Sequence, residues 1–447
     1  MTGTVEDRHK LGWGLAALVV AGNMIGSGVY LLPATLAPVG SSSVIGWAVA
    51  GLGAVTLALV FAALGRLQPD ADGLSGFAER GLGRFFGFQT ALAFWTACLV
   101  GNVAIAVAAT GYLGFFFPEL KGPVAATFCN LGLIWLTTGA YILGARAASR
   151  FAALALIIGL VPLVIAVAAG VSAFNGETFA ASWSPSGNSL AESVPASLAV
   201  IFWAFLGVET AAVLSARVRN PARDVGRASI AGVLLASLVY VAATLAVFGV
   251  IPAEVLAESS SPYADLTARV FGASIGAAVA ACAVVKAVGT LGGWVMLGGE
   301  TARAAARAGY LPSGFGHGER TPIVNPLLGG AIMSIVAVLS GQPTLGGQFG
   351  MLVGVTSVLS LVVYGFCSAS LFRLARWTRA RFIAALGLTF TTAVVVAAAP
   401  GYILPTAIFF AVTTGAWFAF KPGGATKPVD PTPTSHYQTR RLLAGIR

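Results

Sequence analysis

Charge is what this chain has least of. Asp, Glu, Lys and Arg make up 9% of its 447 residues, where a water-soluble fold carries about 25% to cover its surface. At roughly 150 residues per domain the length would allow three soluble domains, but a chain so poor in charge must face lipid. Cysteine is scarce too: Cys98, Cys129, Cys282 and Cys367 all fall within apolar runs and far from any CxxC spacing, which supports neither a disulfide framework nor a metal site. The three histidines, His9, His317 and His436, lie outside those runs, so no histidine relay is available. No HExxH or similar cluster of catalytic residues occurs, and an enzyme is not expected. Nothing calls for a cofactor.

What is abundant is apolar: hydrophobic residues make up 57% of the chain, and the mean hydropathy is +0.86. A membrane-crossing helix needs about 20 such residues. Twelve candidate runs lie near 12–38, 44–66, 84–116, 122–144, 150–171, 193–216, 229–251, 267–301, 323–341, 346–372, 380–399 and 401–420. They are rich in Leu, Ala, Val and Gly and lack period-2 alternation, which points to helices rather than a barrel. The expected fold class is an all-α polytopic membrane protein with 12 transmembrane helices.

The 26 Lys and Arg exceed the 16 Asp and Glu by ten, a surplus that in a soluble protein suggests nucleic acid. Their placement says otherwise. All but Lys121, Arg269 and Lys286 lie at the first end, at the last, or in alternate breaks between runs, as in Arg66-Arg80-Arg84, Arg146-Arg150, Arg217-Arg219-Arg223-Arg227, Arg303-Arg307-Arg320 and Arg373-Arg376-Arg379-Arg381. Cytoplasmic loops hold the positive residues of membrane proteins, so both termini are expected in the cytoplasm, and no nucleic-acid partner is expected. Glu119, Glu177, Glu192, Glu254, Glu258 and Asp265 fall in the opposite loops. The start MTGTVEDRHK contains acids, and the first apolar run outlasts an h-region, so no cleavable signal peptide is expected. The tail from Pro422, with its PVDPTPTS stretch, reads as disordered.

Glycine totals 56, and in membrane helices most glycines simply permit close backbone approach. The cluster Gly22-Asn23-Met24-Ile25-Gly26-Ser27-Gly28 is different, because it interrupts the first run near its middle. Irregular backbone at membrane depth is tolerated only where protein buries it or it lines a wet cavity. A second interruption, Phe202-Trp203-Ala204-Phe205-Leu206-Gly207-Val208-Glu209-Thr210, falls in the sixth run. Runs 1 and 6 hold the same place in two successive sets of five, as a five-plus-five inverted transporter repeat predicts. Half-helix N–H groups at such breaks suit a carboxylate, and freed carbonyls suit an ammonium.

Three stretches, GNMIGSGVYLLP, FWAFLGVETAAVLSARVRNPARDV and LGGWVMLGGETARAAARAGYLP, resemble signature segments of the amino acid–polyamine–organocation (APC) superfamily of transporters, and specifically its basic amino acid/polyamine antiporter branch. The likeness runs over all twelve runs. It implies a LeuT-type fold over residues 1–421, with repeats at about 12–171 and 193–372, extra helices at about 380–420 and a cytoplasmic tail at 422–447. It also implies a multi-pass protein of the bacterial inner membrane, a small amino acid or polyamine substrate, and a homodimer.

Residue by residue, the resemblance places Met24, Ile25, Gly26, Ser27 and Gly28 at the substrate. Ser27 and the backbone beside it would hold the carboxylate, and the carbonyls of Met24, Trp203 and Leu206 would receive the α-ammonium. Trp294 would stack on a cationic or amphipathic side chain, and Trp203 would act as an aromatic lid. Asn102, the Cys98 carbonyl and Thr356 would bond the distal end. Ordinary packing accounts for most of the nine Trp, but these two adjoin the breaks. Phe94 and Ile105 replace a phenol and a thioether of the branch.

Glu209 and Lys286 are the two ionisable residues that lie squarely inside a run, away from its ends, and groups so costly to bury are functional by default. In relatives the matching Glu couples protonation or conformational change to transport; the rival reading is a neutral Glu that ties run 6 to its neighbours. Lys286, one helical turn before Thr290, has no counterpart in the branch. It could pair with Glu209, mimic the sodium ion of sodium-coupled relatives, or snorkel to water. The expected function is exchange of an amino acid for a related amine or amino acid by alternating access, of the arginine/agmatine type. Proton-coupled transport of neutral amino acids is the alternative, which Lys286 favours. With two ionisable residues squarely inside its runs the chain lacks the continuous polar lining of a channel.

Overall fold

In lipid a backbone N–H has no water to receive it, and the apolar runs close their hydrogen bonds within helices. The structure is a computed structural model that describes residues 12–143, 155, 158–210, 218, 221–315 and 323–420, with only the backbone at 27, 28, 221 and 222. Arg8, Lys10, Arg146, Arg150, Arg217, Arg219, Arg320, Lys421 and the tail from 422 therefore lie outside the described residues.

Helix α1 spans Trp13–Met24, and after a break a 3-10 turn covers Ser27–Tyr30. There follow α2 (Leu32–Thr35), α3 (Ser43–Leu67), α4 (Gly73–Leu82), α5 (Arg84–Leu113) and α6 (Pro123–Leu143). Next come α7 (Leu160–Ala173), α8 (Gly176–Ala181), α9 (Leu190–Phe202), α10 (Pro221–Phe248), α11 (Ala253–Ala257) and α12 (Pro262–Phe271). The chain ends with α13 (Ala273–Arg307), α14 (Val324–Leu339), α15 (Leu345–Leu374), α16 (Thr378–Ala397) and α17 (Pro400–Phe420).

Among the described residues eight helices are long and apolar enough to cross a membrane, and four shorter apolar ones, at α1, α7, α9 and α14, occupy the other expected places. One boundary moves. The run expected at 267–301 is split at Gly272, whose φ of +93° belongs to the left-handed region that favours glycine. Residues 267–271 close α12, and α13 instead continues to Arg307.

Helices α5 and α15 are buried over most of their length, pack on each other and form the centre, with α13 on the other side of α5. The outermost helix, α17, buries few of its residues; Gln89 of α5 holds it by donating to Thr414 Oγ1 at 2.9 Å and accepting from Thr413 at 2.6 Å. Small residues allow the close contacts. At Gly81 of α4 a Cβ would lie 1.9 Å from Ser370 Oγ and 2.6 Å from Ser370 Cα on α15.

Gly81→Ala must push α4 from α15, and overpacking of this kind costs about 1–3 kcal/mol. We expect a melting temperature lower by several degrees in detergent. Gly139→Ala in α6, where a Cβ meets nothing within 4 Å, should leave it equal or higher, since glycine is the weaker helix former.

Candidate functional site

The first interruption begins where the glycines weaken the helix. Ile25 N–H still reaches Ala21 O at 2.8 Å, but the Gly26 amide turns back to Met24 O at 2.6 Å, and Gly26 itself is extended (φ −91°, ψ −173°). Ser27 then opens the 3-10 turn. The second interruption follows α9: a 3-10 turn over Trp203–Phe205, an extended Leu206, and Gly207 at φ +105°. The two interruptions touch. A Cβ on Gly207 would lie 3.0 Å from the carbonyl oxygen of Asn23, so both the φ and the contact require glycine there.

Glu209 satisfies the backbone this break leaves open. Its Oε2 accepts the Gly207 N–H at 3.0 Å and the Tyr364 hydroxyl at 2.5 Å, and Thr210 Oγ1 donates to Gly207 O at 2.7 Å. Tyr364, on α15, was not among the sequence candidates. Its only sequence signal is a phenol inside an apolar run, and nothing in the linear order says that it faces Glu209. Similarly, Tyr240 of α10 donates to Ala204 O at 2.8 Å.

Beside the breaks, Trp203 and Trp294 lie against each other, with ring centroids 5.4 Å apart and planes tilted by 43°, and Phe349 meets Trp203 edge-on. Both indoles rest on α5 at Gly101, where a Cβ would meet Trp294 at 3.0 Å and Trp203 at 3.1 Å. The next residue is Asn102. It is fully buried, and neither its amide nitrogen nor its amide oxygen has a partner among the described residues. Buried polar atoms are nearly always paired, which sets this amide, next to the two aromatics, apart from its surroundings.

The other expected contributors are less open. Met24 O and Trp203 O already accept from the Gly26 and Leu206 amides, leaving one lone pair each for an ammonium. Thr356 donates to Leu352 O at 2.8 Å, so its hydroxyl is left as an acceptor. Cys98 is buried one turn from Asn102 and touches α13, its Cβ lying 3.5 Å from where a Cβ on Gly298 would be. Ile25 is buried, and Ser27 and Gly28 are described in backbone only.

Below the tryptophans a cavity of about 570 Å³ opens at the arginine-rich face. Thr90 and Phe94 of α5, Leu297 and Thr301 of α13, and Glu209 and Thr210 line its inner part; Asp72, Glu300 and Arg307 stand nearer the mouth. Thr90 is buried, and its hydroxyl has no partner among the described residues. Steps of four carry α5 from Thr90 and Phe94 in the cavity to Cys98 and Asn102, about 18 Å along the axis. Glu300 pairs with Arg303 at 3.6 Å, a contact of about 0–1 kcal/mol where the glutamate is open to solvent. Tyr310 donates to Glu79 at 2.7 Å; burial first, then that bond, raise its pKa, so it stays a donor at neutral pH.

One of the arrangements open to Lys286 is not found. Lys286 is buried but makes no ion pair with Glu209, whose carboxylate is held by Tyr364 and Gly207 instead. Thr290 is half-buried one turn on and makes no hydrogen bond to the glutamate.

With the interrupted helices, the aromatic pair and the cavity in place, comparison with known proteins is informative. The amino acid permease family model matches residues 11–435. The chain belongs to the amino acid permease family. This permease is 34% identical over 376 residues to the cadaverine/lysine antiporter of Escherichia coli (strain K12), covering 83% of this chain and 84% of that one. It is 30% identical over 365 residues to the putrescine transporter PotE of the same organism, covering 81% and 83%. It is also 28% identical to the putrescine transporter PotE of Haemophilus influenzae, covering 81% and 84%. These relatives support the APC basic amino acid/polyamine antiporter branch that the signature stretches resemble.

If the Asn102 amide waits for a ligand, its loss should leave the permease's fold intact. Asn102→Leu, close in volume and without orphaned atoms, should melt at the same temperature or higher. Ligand affinity, read by isothermal titration, should fall about tenfold or more, the cost of one lost hydrogen bond to a charged group. Unchanged affinity would remove Asn102 from the site.

Proposed function

We propose that this permease exchanges an amino acid for a related amine or amino acid by alternating access. The observation that carries this reading is the orphaned Asn102 amide beside the Trp203–Trp294 pair, at the meeting point of two interrupted helices. The substrate's α-groups belong at the breaks: the carboxylate at Ser27 with the backbone of Gly26 and Gly28, the ammonium at the Met24, Trp203 and Leu206 carbonyls. Its side chain lies against Trp294, with Trp203 over it as a lid and Asn102, Cys98 O and Thr356 at the distal end. At 5.4 Å the two rings leave no room for a side chain between them, so they must part on binding. The cavity opens at the arginine-rich face, which the charge distribution assigns to the cytoplasm, and the described form is therefore the inward-open one. Glu209 sits at its inner end, where both the break and Tyr364 depend on its carboxylate, and this makes it the coupling residue.

Arginine with agmatine is one candidate pair. The relatives named for cadaverine, lysine and putrescine make lysine with cadaverine another. Buried Lys286, with no ion pair among the described residues, favours a second reading, proton-coupled transport of a neutral amino acid.

The test is uptake of labelled lysine or arginine into proteoliposomes preloaded with arginine, agmatine, lysine, cadaverine, putrescine or a neutral amino acid. Exchange requires that uptake depend on the internal substrate. Uptake indifferent to it, but driven by an imposed pH gradient, would replace antiport with the second reading. Cation–π stacking contributes about 2 kcal/mol when desolvated, so Trp294→Leu should raise KM for cationic substrates roughly thirtyfold and spare neutral ones. An equal loss for both would remove the stacking role.

A further inference from the structure

Lys286 is held by shape rather than by a counter-ion. It is 5% exposed, and it forms no ion pair or hydrogen bond among the described residues. Its stem lies flat across Gly159, just before α7: a Cβ built there would be 2.3 Å from Cδ, 2.4 Å from Cγ and 2.8 Å from Cβ of the lysine. No side chain fits at 159 while the lysine is in place. The Gly159 carbonyl in turn accepts the buried hydroxyl of Tyr30. Tyr30 closes the 3-10 turn that begins at Ser27, and that turn packs on α13. Gly159 therefore joins the lysine stem to the segment where the substrate's α-groups are placed. Along α13, Lys286, Thr290 and Trp294 follow in steps of four, which puts Lys286 about 12 Å from Trp294 along the axis and within roughly 80° of its direction.

We propose that Gly159 and Lys286 act as one unit that sets the charge selectivity of transport. Gly159 is the positioning residue, since its missing side chain fixes the course of the lysine stem. The Lys286 ammonium is a built-in positive charge beside the second half of the first span. It disfavours cargo carrying two ammonium groups and favours cargo carrying a carboxylate. Across about 10 Å, at an effective dielectric constant of about 20, one unit charge changes the binding of another roughly tenfold or more. The proposal rests on the transport reading above and narrows it: amino acids are the better cargo and diamines the poorer.

The experiment measures inhibition of labelled lysine uptake by unlabelled cadaverine and by unlabelled lysine, in proteoliposomes preloaded with lysine, and takes the ratio of the two inhibition constants. Lys286→Gln should shift that ratio about tenfold toward cadaverine, and Lys286→Arg should restore it. Gly159→Ala should shift it the same way by displacing the stem. In a Lys286→Ala background, where Cγ and Cδ are gone, Gly159→Ala should add little. A ratio that stays at the wild-type value in Lys286→Gln overturns the proposal, as does a Gly159→Ala effect of equal size in both backgrounds. If Gly159→Ala does not yield folded protein, the Gln and Arg variants decide. Wild-type protein that exchanges normally while the ratios stay fixed refutes this proposal alone; wild-type protein that exchanges none of these substrates refutes the transport reading with it.

Discussion

Gly207 donates its backbone N–H to the Glu209 carboxylate, and the interrupted helix depends on that bond. At this depth an unsatisfied amide costs several kcal/mol, so a helix can stop only where something takes over its hydrogen bonding. The carboxylate oxygen that accepts from Gly207 also accepts from Tyr364, so one atom ties the break to the central helix α15. Glycine at 207 then permits both the positive φ and the contact with Asn23. Each break supports the other. Movement at either one passes to the other through that contact, and to α15 through the glutamate.

The aromatic pair follows from the same constraint. Because α9 ends at Phe202, Trp203 is free of the regular helix and can turn onto Trp294, and Gly101 lets both rings come down on α5. The cavity stops beneath them, while Asn102 lies just beyond. A ligand arriving from the cavity meets two stacked rings before it meets the amide. In the proposed transport cycle the rings would be both a barrier and a surface for stacking, and parting them would expose the only buried side-chain amide among the described residues with both atoms unpartnered.

Much of this was legible in the sequence because membrane folding exaggerates its signals. Helix-forming apolar runs, glycine clusters inside them and one-sided arginines are each forced by the absence of water, and the runs and glycines pointed to the all-helical class and to both breaks. Gly272 was misread for the opposite reason: a lone glycine between apolar stretches looks like packing until its positive φ splits α12 from α13. Contacts between distant segments were not legible. Neither Tyr364 at Glu209 nor Gly159 beneath Lys286 leaves a linear trace, because each depends on which faces of α15, α13 and the segment before α7 meet.

The two ionisable residues inside the membrane are accommodated in different ways, and the difference bears on mechanism. Glu209 is held by one donor from the break itself and one from α15, so any change in its protonation or contacts alters the hydrogen bonding of the interrupted segment. Lys286 has no such partner among the described residues and lies fitted against Gly159. Its charge can act on a substrate through the field without any bond being broken. A pair bonded to each other would have neutralised both effects. Kept apart, they can serve the two roles proposed above, the carboxylate in coupling the conformational change and the ammonium in selecting the charge of what is carried.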